Sequence, residues 1–356
     1  MSESNAARCV NVLRDTTRTL AEEYDLAMLD LDGVVYRGNH VVPGAVEALT
    51  SAHETSMALA YVTNNASCPP DQVVENLRTM GVPVEDGEVV TSAQAAAHVV
   101  ESLVPAGARV LVIGGEGLQV ALGELGLVPV SRLDDSPAAV VQGFHRTVGW
   151  ELLAEGAYAV SSGLPWVASN TDMTIPTARG VAPGNGTLVA AIAHASGRQP
   201  IVAGKPHAPL FEETLRRVGG NRPLVVGDRL DTDIEGANNV AADSLLVLTG
   251  VSTLADVVRA GTHQRPTFIG PDLGALHVSH EPVVNEQDAV RCGPVRVLGT
   301  RRAIPEIEGA NNLAADVHTA TCLLRAAVGW GWRQSSAGAR TLDLEVVEDR
   351  LREMME

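Results

Sequence analysis

Two aspartates, Asp30 and Asp32, stand at the end of an apolar run that begins at Leu26, and Gly33 follows them directly. If the extended backbone persists to Asp32, strand alternation puts both carboxylates on one face, and Gly33 lets the chain turn sharply away. Two carboxylates side by side at a buried strand end repel each other and lose hydration. A fold tolerates that when a cation sits between them or when one holds a proton; the bland alternative is a strand running into a polar turn. A carboxylate can accept a phosphoryl group and split one hard displacement into two easier ones, which makes Asp30 the candidate nucleophile. Asp32 would then protonate the leaving alkoxide and deprotonate the attacking water.

Three more apolar segments end in the polar groups that this chemistry requires. Residues 57–62 lead into Thr63-Asn64-Asn65, residues 200–204 into Lys205, and residues 223–227 into Asp228. Asp228, Asp30 and a backbone carbonyl would hold Mg²⁺, a hard ion that prefers a few oxygens and several waters. The Thr63 hydroxyl, nearby amides and Lys205 would neutralise the equatorial oxygens as charge spreads over them. Lys205 is the single lysine beside 25 arginines. Arginine is a planar fork and lysine a compact point charge, so the two do not interchange where one phosphate oxygen is met end-on.

The elements that must position these groups alternate between strand and helix. After the first strand come a helix from about residue 43, the strand 57–62 and a helix at 70–80 closed by Gly81, the pattern of a parallel sheet covered by helices. A second alternating set fills residues 86–184: helix 93–103, strand 109–113, helix 117–125, strand 138–143, helix 150–159 and strand 166–169. The first alternation resumes with helix 186–195, strand 200–204, helix 209–218, strand 223–227, a helix opening near Ile234 and a final strand at 244–248. In open parallel sheets, sites form at the carboxyl ends of strands, so these ends can converge although distant in sequence. Gly114, Gly115 and Gly117 tempt a dinucleotide reading, but the third glycine of that fingerprint is missing.

The edges of the chain carry less. A helix is expected around residues 10–23. Beyond about 275 the patterning weakens to one helix at 314–328, an Arg/Trp/Gly segment and a charged helix at 342–355. Within it, residues 307–316 repeat 234–243 with Leu313 for Val240, but Arg301 stands where Asp228 does and Glu306 where Asp233 does. A second metal site is therefore not expected there.

Composition bounds the function class. The 356 residues suit two or three domains and bury a real core. A net charge of −17 disfavours nucleic acid and anionic membrane surfaces as partners, and an anionic substrate needs a locally positive pocket. Four cysteines without CxxC spacing point to a reducing, cytoplasmic setting. No run approaches the ~18 apolar residues of a membrane span.

Taken together, the motifs DLDGVVY, VTNNAS, AGKP and VGDRLDTDIEGANN resemble, in order, those of haloacid dehalogenase (HAD) superfamily phosphatases. The long stretch between Thr63 and Lys205 resembles the subgroup with a large α/β cap inserted after the second motif, which includes phosphoglycolate, pyridoxal-phosphate and NagD-type nucleotide phosphatases. The resemblance spans about residues 25–275. It implies an α/β fold with a Rossmann-like parallel-sheet core at 20–85 and 185–275, a cap at 86–184 and a small C-terminal subdomain at 276–356. It also implies Asp30 as nucleophile, Asp32 as acid/base, and Thr63, Asn64, Asn65 and Lys205 as phosphate contacts. Mg²⁺ would sit on Asp30, the Asp32 carbonyl and Asp228, with Asp233 in support. In the cap, Asn170, Asp172 and Ile175 match a substrate loop; some relatives place a polar residue where Ile175 stands. The C-terminal region resembles, weakly, the acetyltransferase-like (GNAT-like) appendage of glycerol-3-phosphate phosphatases. Its acyl-CoA loop would fall at Arg296–Arg301, and a structural or oligomerisation role is the favoured one. The expected activity is Mg²⁺-dependent hydrolysis of a small phosphorylated metabolite, foremost glycerol 3-phosphate, with phosphoglycolate, sugar phosphates and nucleotide monophosphates as alternatives. An inactive sensor or scaffold is the non-enzymatic reading, and a homo-oligomer is compatible with all of these.

Overall fold

The computed structural model describes residues 13–177, 179–299, 304–336 and 342–355. Thr300, Arg301 and residues 10–12 of the expected N-terminal helix lie outside them. The chain divides into two compact units, one of residues 1–59, 80–83 and 220–356, the other of residues 60–79 and 84–219.

In the first unit the parallel strands Leu26–Leu29, Pro223–Gly227, Asp243–Val247 and Phe268–Gly270 lie side by side in that order. Leu26, Leu29, Leu224, Val226, Leu245 and Phe268 are fully buried, as near-continuous apolar runs in a sheet covered on both faces should be. The strand at 268–270 corrects the expectation that 244–248 is the last of the sheet; at three residues it is too short to announce itself. A four-stranded antiparallel meander follows, Val283–Asn285, Ala289–Cys292, Val295–Gly299 and Pro305–Ile307. The sequence reading placed no strands there. Arg296–Gly299, read as a candidate acyl-CoA loop, belongs to a strand of this meander.

Helix Val317–Ser336 runs on through the Arg/Trp/Gly segment and packs against the meander. Its Leu323, Val328 and Trp330 share one apolar cluster with Val290 and Val297 of the meander and with Leu246 and Ile269 of the parallel sheet. Among the described residues of the expected N-terminal helix, those from 13 on, Leu20–Glu23 is helical. Residues 13–18 are tied down by long-range bonds instead: the Arg14 amide donates to the Thr267 carbonyl at 3.1 Å and the Thr16 amide to His280 at 2.9 Å. Those bonds compete with helix formation, and the helix starts at the Thr19–Glu22 capping box.

The second unit carries parallel strands in the order Ile201–Val202, Trp166–Ala168, Ala139–Gln142, Arg109–Ile113, Val128–Val130. Its helices include Ser92–Glu101, Glu116–Glu124, Trp150–Ser161 and Asn185–Ser196. Ile201–Val202, expected to resume the first alternation, pairs with Trp166–Ala168. Here also Tyr61–Thr63, the end of strand Ala58–Thr63, pairs in parallel with Val89–Thr91. A hairpin of Thr174–Thr177 and Gly180–Pro183 follows Asp172. Gly115 and Gly117 are explained by packing: a Cβ on Gly115 would stand 2.7 Å from the Ser67 carbonyl, and one on Gly117 2.6 Å from those of Ala66 and Cys68.

Candidate active site

The first unit brings three carboxylates together. One oxygen each of Asp30, Asp228 and Asp233 lie within 4.8 Å of one another. Asp30 continues the strand ladder, its amide donating to the Val226 carbonyl at 2.8 Å, so it ends one strand while Asp228 ends the next. Asp228 is fully buried under two glycines. A Cβ on Gly33 would stand 2.5 Å from its Oδ2, and one on Gly250 would overlap the same oxygen. Gly33 also holds φ at +91°, where a side chain is strained. The Val251 amide donates to Asp228 Oδ2 at 2.6 Å. Asp233, 1% exposed, accepts from the Arg229 amide at 3.2 Å and sits in the π-type turn Leu230–Ile234. Such turns recur at functional sites.

Three like charges this close, two of them out of water, repel strongly unless a cation lies among them. An all-oxygen donor set of this kind fits Mg²⁺. Asp32 stands outside the group of three. Its surroundings strip water from the carboxyl and push it above the usual carboxylate range, with a Gly38 amide and the Arg37 charge opposing the shift. A carboxyl that holds its proton to higher pH suits an acid.

The second unit gathers the remaining motif residues. The Thr63 hydroxyl oxygen accepts the Asn65 amide at 3.1 Å, which leaves its O–H to donate elsewhere. Lys205 is nearly buried, and its Nζ donates to the Val62 carbonyl at 3.3 Å. Asn64 organises the loop: its Oδ1 accepts the Lys205 amide at 2.8 Å, and its Nδ2 donates to Asp172 Oδ2 and the Lys205 carbonyl, each at 3.2 Å. The Asn64 carbonyl accepts from Asn170 Nδ2 at 2.7 Å and from the Ser92 hydroxyl at 2.6 Å. Asn65 Oδ1 closes a turn onto the Ser67 amide at 2.9 Å. Ile175 lies in the hairpin opposite Ala182, half-buried.

Three members of this network escaped the sequence reading. Ser92 and Asn185, whose Nδ2 donates to the Asn170 carbonyl at 2.7 Å, carry no motif. Gly204 had a signal, its place before the lone lysine: a Cβ there would crowd the Ser169 carbonyl and stand 2.5 Å from Asn64 Oδ1.

Comparison with known proteins follows the same residues. A sequence model of haloacid dehalogenase-like hydrolases matches residues 27–128, and a second, HAD-hydrolase-like model matches 202–276. The chain is 47% identical over 260 residues to the D-glycerol 3-phosphate phosphatase of Mycobacterium tuberculosis, covering 73% of each chain. It is 37% identical over 254 residues to the acid sugar phosphatase of Staphylococcus aureus, 71% of this chain and 96% of that one. Among solved structures, the glycerol phosphate phosphatase of M. tuberculosis in complex with magnesium superposes with a TM-score of 0.79 at 39% identity, over 96% of this chain and 99% of that one. The 4-nitrophenylphosphatase of Thermotoga maritima gives 0.67 at 32% identity, over 72% and 98%.

Proposed function

This chain belongs to the haloacid dehalogenase-like hydrolases, and from that premise we propose that it hydrolyses glycerol 3-phosphate to glycerol and phosphate. It is a phosphoric monoester hydrolase of the Mg²⁺-dependent kind. The observation that carries the chemistry is the cluster of Asp30, Asp228 and Asp233. Support for the substrate is the relation to the D-glycerol 3-phosphate phosphatase; the sugar phosphatase relative makes sugar phosphates the second reading.

The roles are assigned as follows. Asp30 Oδ attacks phosphorus and takes the phosphoryl group as an acyl phosphate. Asp32, its carboxyl raised above the usual range by desolvation, gives a proton to the departing alkoxide and takes one back from the water that cleaves the acyl phosphate. Thr63, the Asn64 and Asn65 backbone and Lys205 bind the phosphoryl oxygens, with Asn64 holding the Lys205 loop in place. Asp30, Asp228 and the Asp32 carbonyl would hold Mg²⁺, with the Asp233 carboxylate beside them, and the ion supplies positive charge against the phosphoryl oxygens. Asn170 and Asp172 act through Asn64, and Ile175 offers substrate an apolar contact.

For the domain plan we retain a catalytic core at 20–85 and 185–275, a cap at 86–184 and a structural C-terminal region at 276–356. The last is supported by its share in the apolar cluster of the first unit. A cytoplasmic enzyme without nucleic-acid or membrane partners is supported by the charge of −17 and by the lack, among the described residues, of a helix long and apolar enough to cross a membrane. Homo-oligomer formation belongs to the same proposal.

The deciding experiment measures kcat/KM over a panel of phosphomonoesters with Mg²⁺. Glycerol 3-phosphate is expected to lead; a tenfold lead by phosphoglycolate, a sugar phosphate or a nucleotide monophosphate would overturn the substrate. Asp30→Asn is expected to fold and never form the acyl phosphate. Because the folded Asp32 is raised, the acid form persists above the usual carboxylate range and kcat/KM should fall as pH rises through it.

A further inference from the structure

Helix Asn185–Ser196 opens without a capping side chain, because its N-cap is Gly184. The donors of its first turn go instead to the segment that precedes the cap hairpin. The Gly184 amide donates to the Met173 carbonyl and the Gly186 amide to the Asp172 carbonyl, each at 2.9 Å, and the Thr187 hydroxyl donates to the Met173 carbonyl at 2.7 Å. The two backbones lie so close that a Cβ on Gly184 would overlap the Asp172 carbonyl oxygen, and one on Gly186 that of Thr171. Asn185 completes the set, its Nδ2 donating to the Asn170 carbonyl at 2.7 Å.

Asn185 is 1% exposed, and its Oδ1 is buried with no hydrogen-bond partner among the described residues. A carbonyl can only accept, so the bond to Asn170 fixes which end of the carboxamide is the nitrogen. An unpaired buried amide oxygen costs stability that an apolar side chain of the same size would not. What the side chain contributes is its donated bond, and that bond begins a series. Asn170, buried too, accepts the Asp172 amide on Oδ1 at 3.1 Å and donates with Nδ2 to the Asn64 carbonyl at 2.7 Å. Asn64 in turn accepts the Lys205 amide at 2.8 Å and donates to the Lys205 carbonyl at 3.2 Å. Each link ties a side chain to a backbone, so a shift of one loop is passed to the next. Every member lies in the second unit.

We propose that Asn185 is a positioning residue of the phosphate site, setting the backbone of Lys205 through Asn170 and Asn64. The proposal rests on the reading of Lys205 as a phosphoryl contact. Asn185 does not touch the phosphoryl group. Its effect is to fix where the Lys205 ammonium starts from, and a compact point charge that meets one oxygen end-on depends on that placement. The same helical turn holds the Asp172 and Met173 carbonyls, which lead into the hairpin that carries Ile175. One element therefore sets both the phosphate loop and the cap loop. Loosening it weakens the grip on the phosphoryl group whatever alcohol is attached.

The test follows p-nitrophenyl phosphate turnover by the full-length protein with Mg²⁺, with inorganic phosphate as competitive inhibitor, so it does not depend on the physiological substrate. Asn185→Ala should raise the phosphate Ki and lower kcat/KM by about tenfold or more. Asn185→Ser keeps a short donor, while Asn185→Asp turns an acceptor toward the Asn170 carbonyl. The serine variant should therefore stay nearer to wild type than the aspartate variant, and the reverse order would overturn the proposal. Ile192→Ala, in the apolar cluster on the same helix, should lower the urea midpoint and leave the phosphate Ki at the wild-type value. A merely structural Asn185 would behave like it. On an Asn170→Ala background the outlet of the series is already gone, so Asn185→Ala should change Ki by less than about twofold more. Full multiplication of the two effects, or a wild-type Ki in folded Asn185→Ala, overturns the proposal. Lys205→Ala separates the underlying reading. An unchanged phosphate Ki there sinks both, whereas a raised one beside a wild-type Ki in Asn185→Ala sinks the positioning role alone.

Discussion

Residues 234–239 and 307–312 are both Ile-Glu-Gly-Ala-Asn-Asn, and they fold differently. In the first copy Ile234 ends the π-type turn and Glu235–Asn239 is an α-helix. In the second, Ile307 ends a strand, Gly309 takes the left-handed conformation at φ +65°, and Ala310–Asn312 is a single 3₁₀ turn. The flanks decide. Ahead of the first copy, the Asp233 and Ile234 amides both donate to the Arg229 carbonyl at 3.2 Å, so a helical turn already exists and extension is cheap. Ahead of the second, Pro305 cannot donate, Ile307 is paired with Val297, and the Glu308 amide donates to the Arg296 carbonyl at 3.0 Å. Both isoleucines enter the same apolar cluster. Six residues thus carry an anchor but not a conformation, and the chemistry belongs to what precedes them, Asp228 and Asp233.

The comparison is broken most severely at that preceding turn. Asp228→Ala should lower kcat/KM at fixed Mg²⁺ by more than about 10²-fold, beyond the 10–100-fold typical of groups that only support a ligand. It should also raise the Mg²⁺ concentration needed for half-maximal rate, and a chelator should silence the wild type reversibly. Wild-type titration of the variant with Mg²⁺ would show that the first copy is no more chemical than the second.

This contrast marks what could be read from sequence. Asp30 and Asp228 were legible because each ends a buried run, where polar residues are expensive and therefore purposeful. The parallel strands of the first unit were legible for the same reason, apart from the three-residue Phe268–Gly270. The meander at 283–307 was not: its strands are short, and Glu286, Arg291 and Arg296 put charge among its apolar residues. Asp233 was read as a support, and its carboxylate stands in the same group of three as Asp30 and Asp228. Asn64 was read as a phosphate contact, and the bonds of its side-chain carboxamide to Asp172 and to the Lys205 backbone were not foreseen. Such bonds join residues 108 and 141 positions apart, and no local pattern encodes them.

A second break lies in burial. Asn238, in the first copy, is 2% exposed, and its Nδ2 donates to the carbonyls of His263 at 2.8 Å and Arg265 at 3.2 Å. Asn238→Ala leaves both without this donor and should cost about 1–3 kcal/mol, read as a lower urea midpoint with unchanged slope. A midpoint equal to wild type would mean that the helix of the first copy is as peripheral as the turn of the second.

A smaller effect belongs to Gly309. Space is open around it, so only the backbone resists a side chain there. Gly309→Ala should cost about 1–2 kcal/mol, and Gly309→Asn should recover part of that, because asparagine tolerates the left-handed region. Equal midpoints for the two variants would argue that the second copy does not depend on its turn.

The smallest effect separates the two glutamates. Glu235 Oε2, half-buried, accepts from Gln264 Nε2 at 2.7 Å, while the exposed Glu308 meets the half-buried Arg296, which Glu286 also holds at 2.8 Å. An exposed ion pair is screened, and Arg296 keeps a second carboxylate when the first is removed. Glu308→Gln should therefore leave the urea midpoint unchanged at 0.15 M salt. Glu235→Gln keeps an oxygen that can accept from Gln264 and should also lie close to wild type, whereas Glu235→Ala removes the acceptor and should cost about 0.5–1.5 kcal/mol. The informative quantity is the difference between Glu235→Ala and Glu308→Ala. If it vanishes, the two copies bear the same load at this position, and the burial that separates them ends at Asn238.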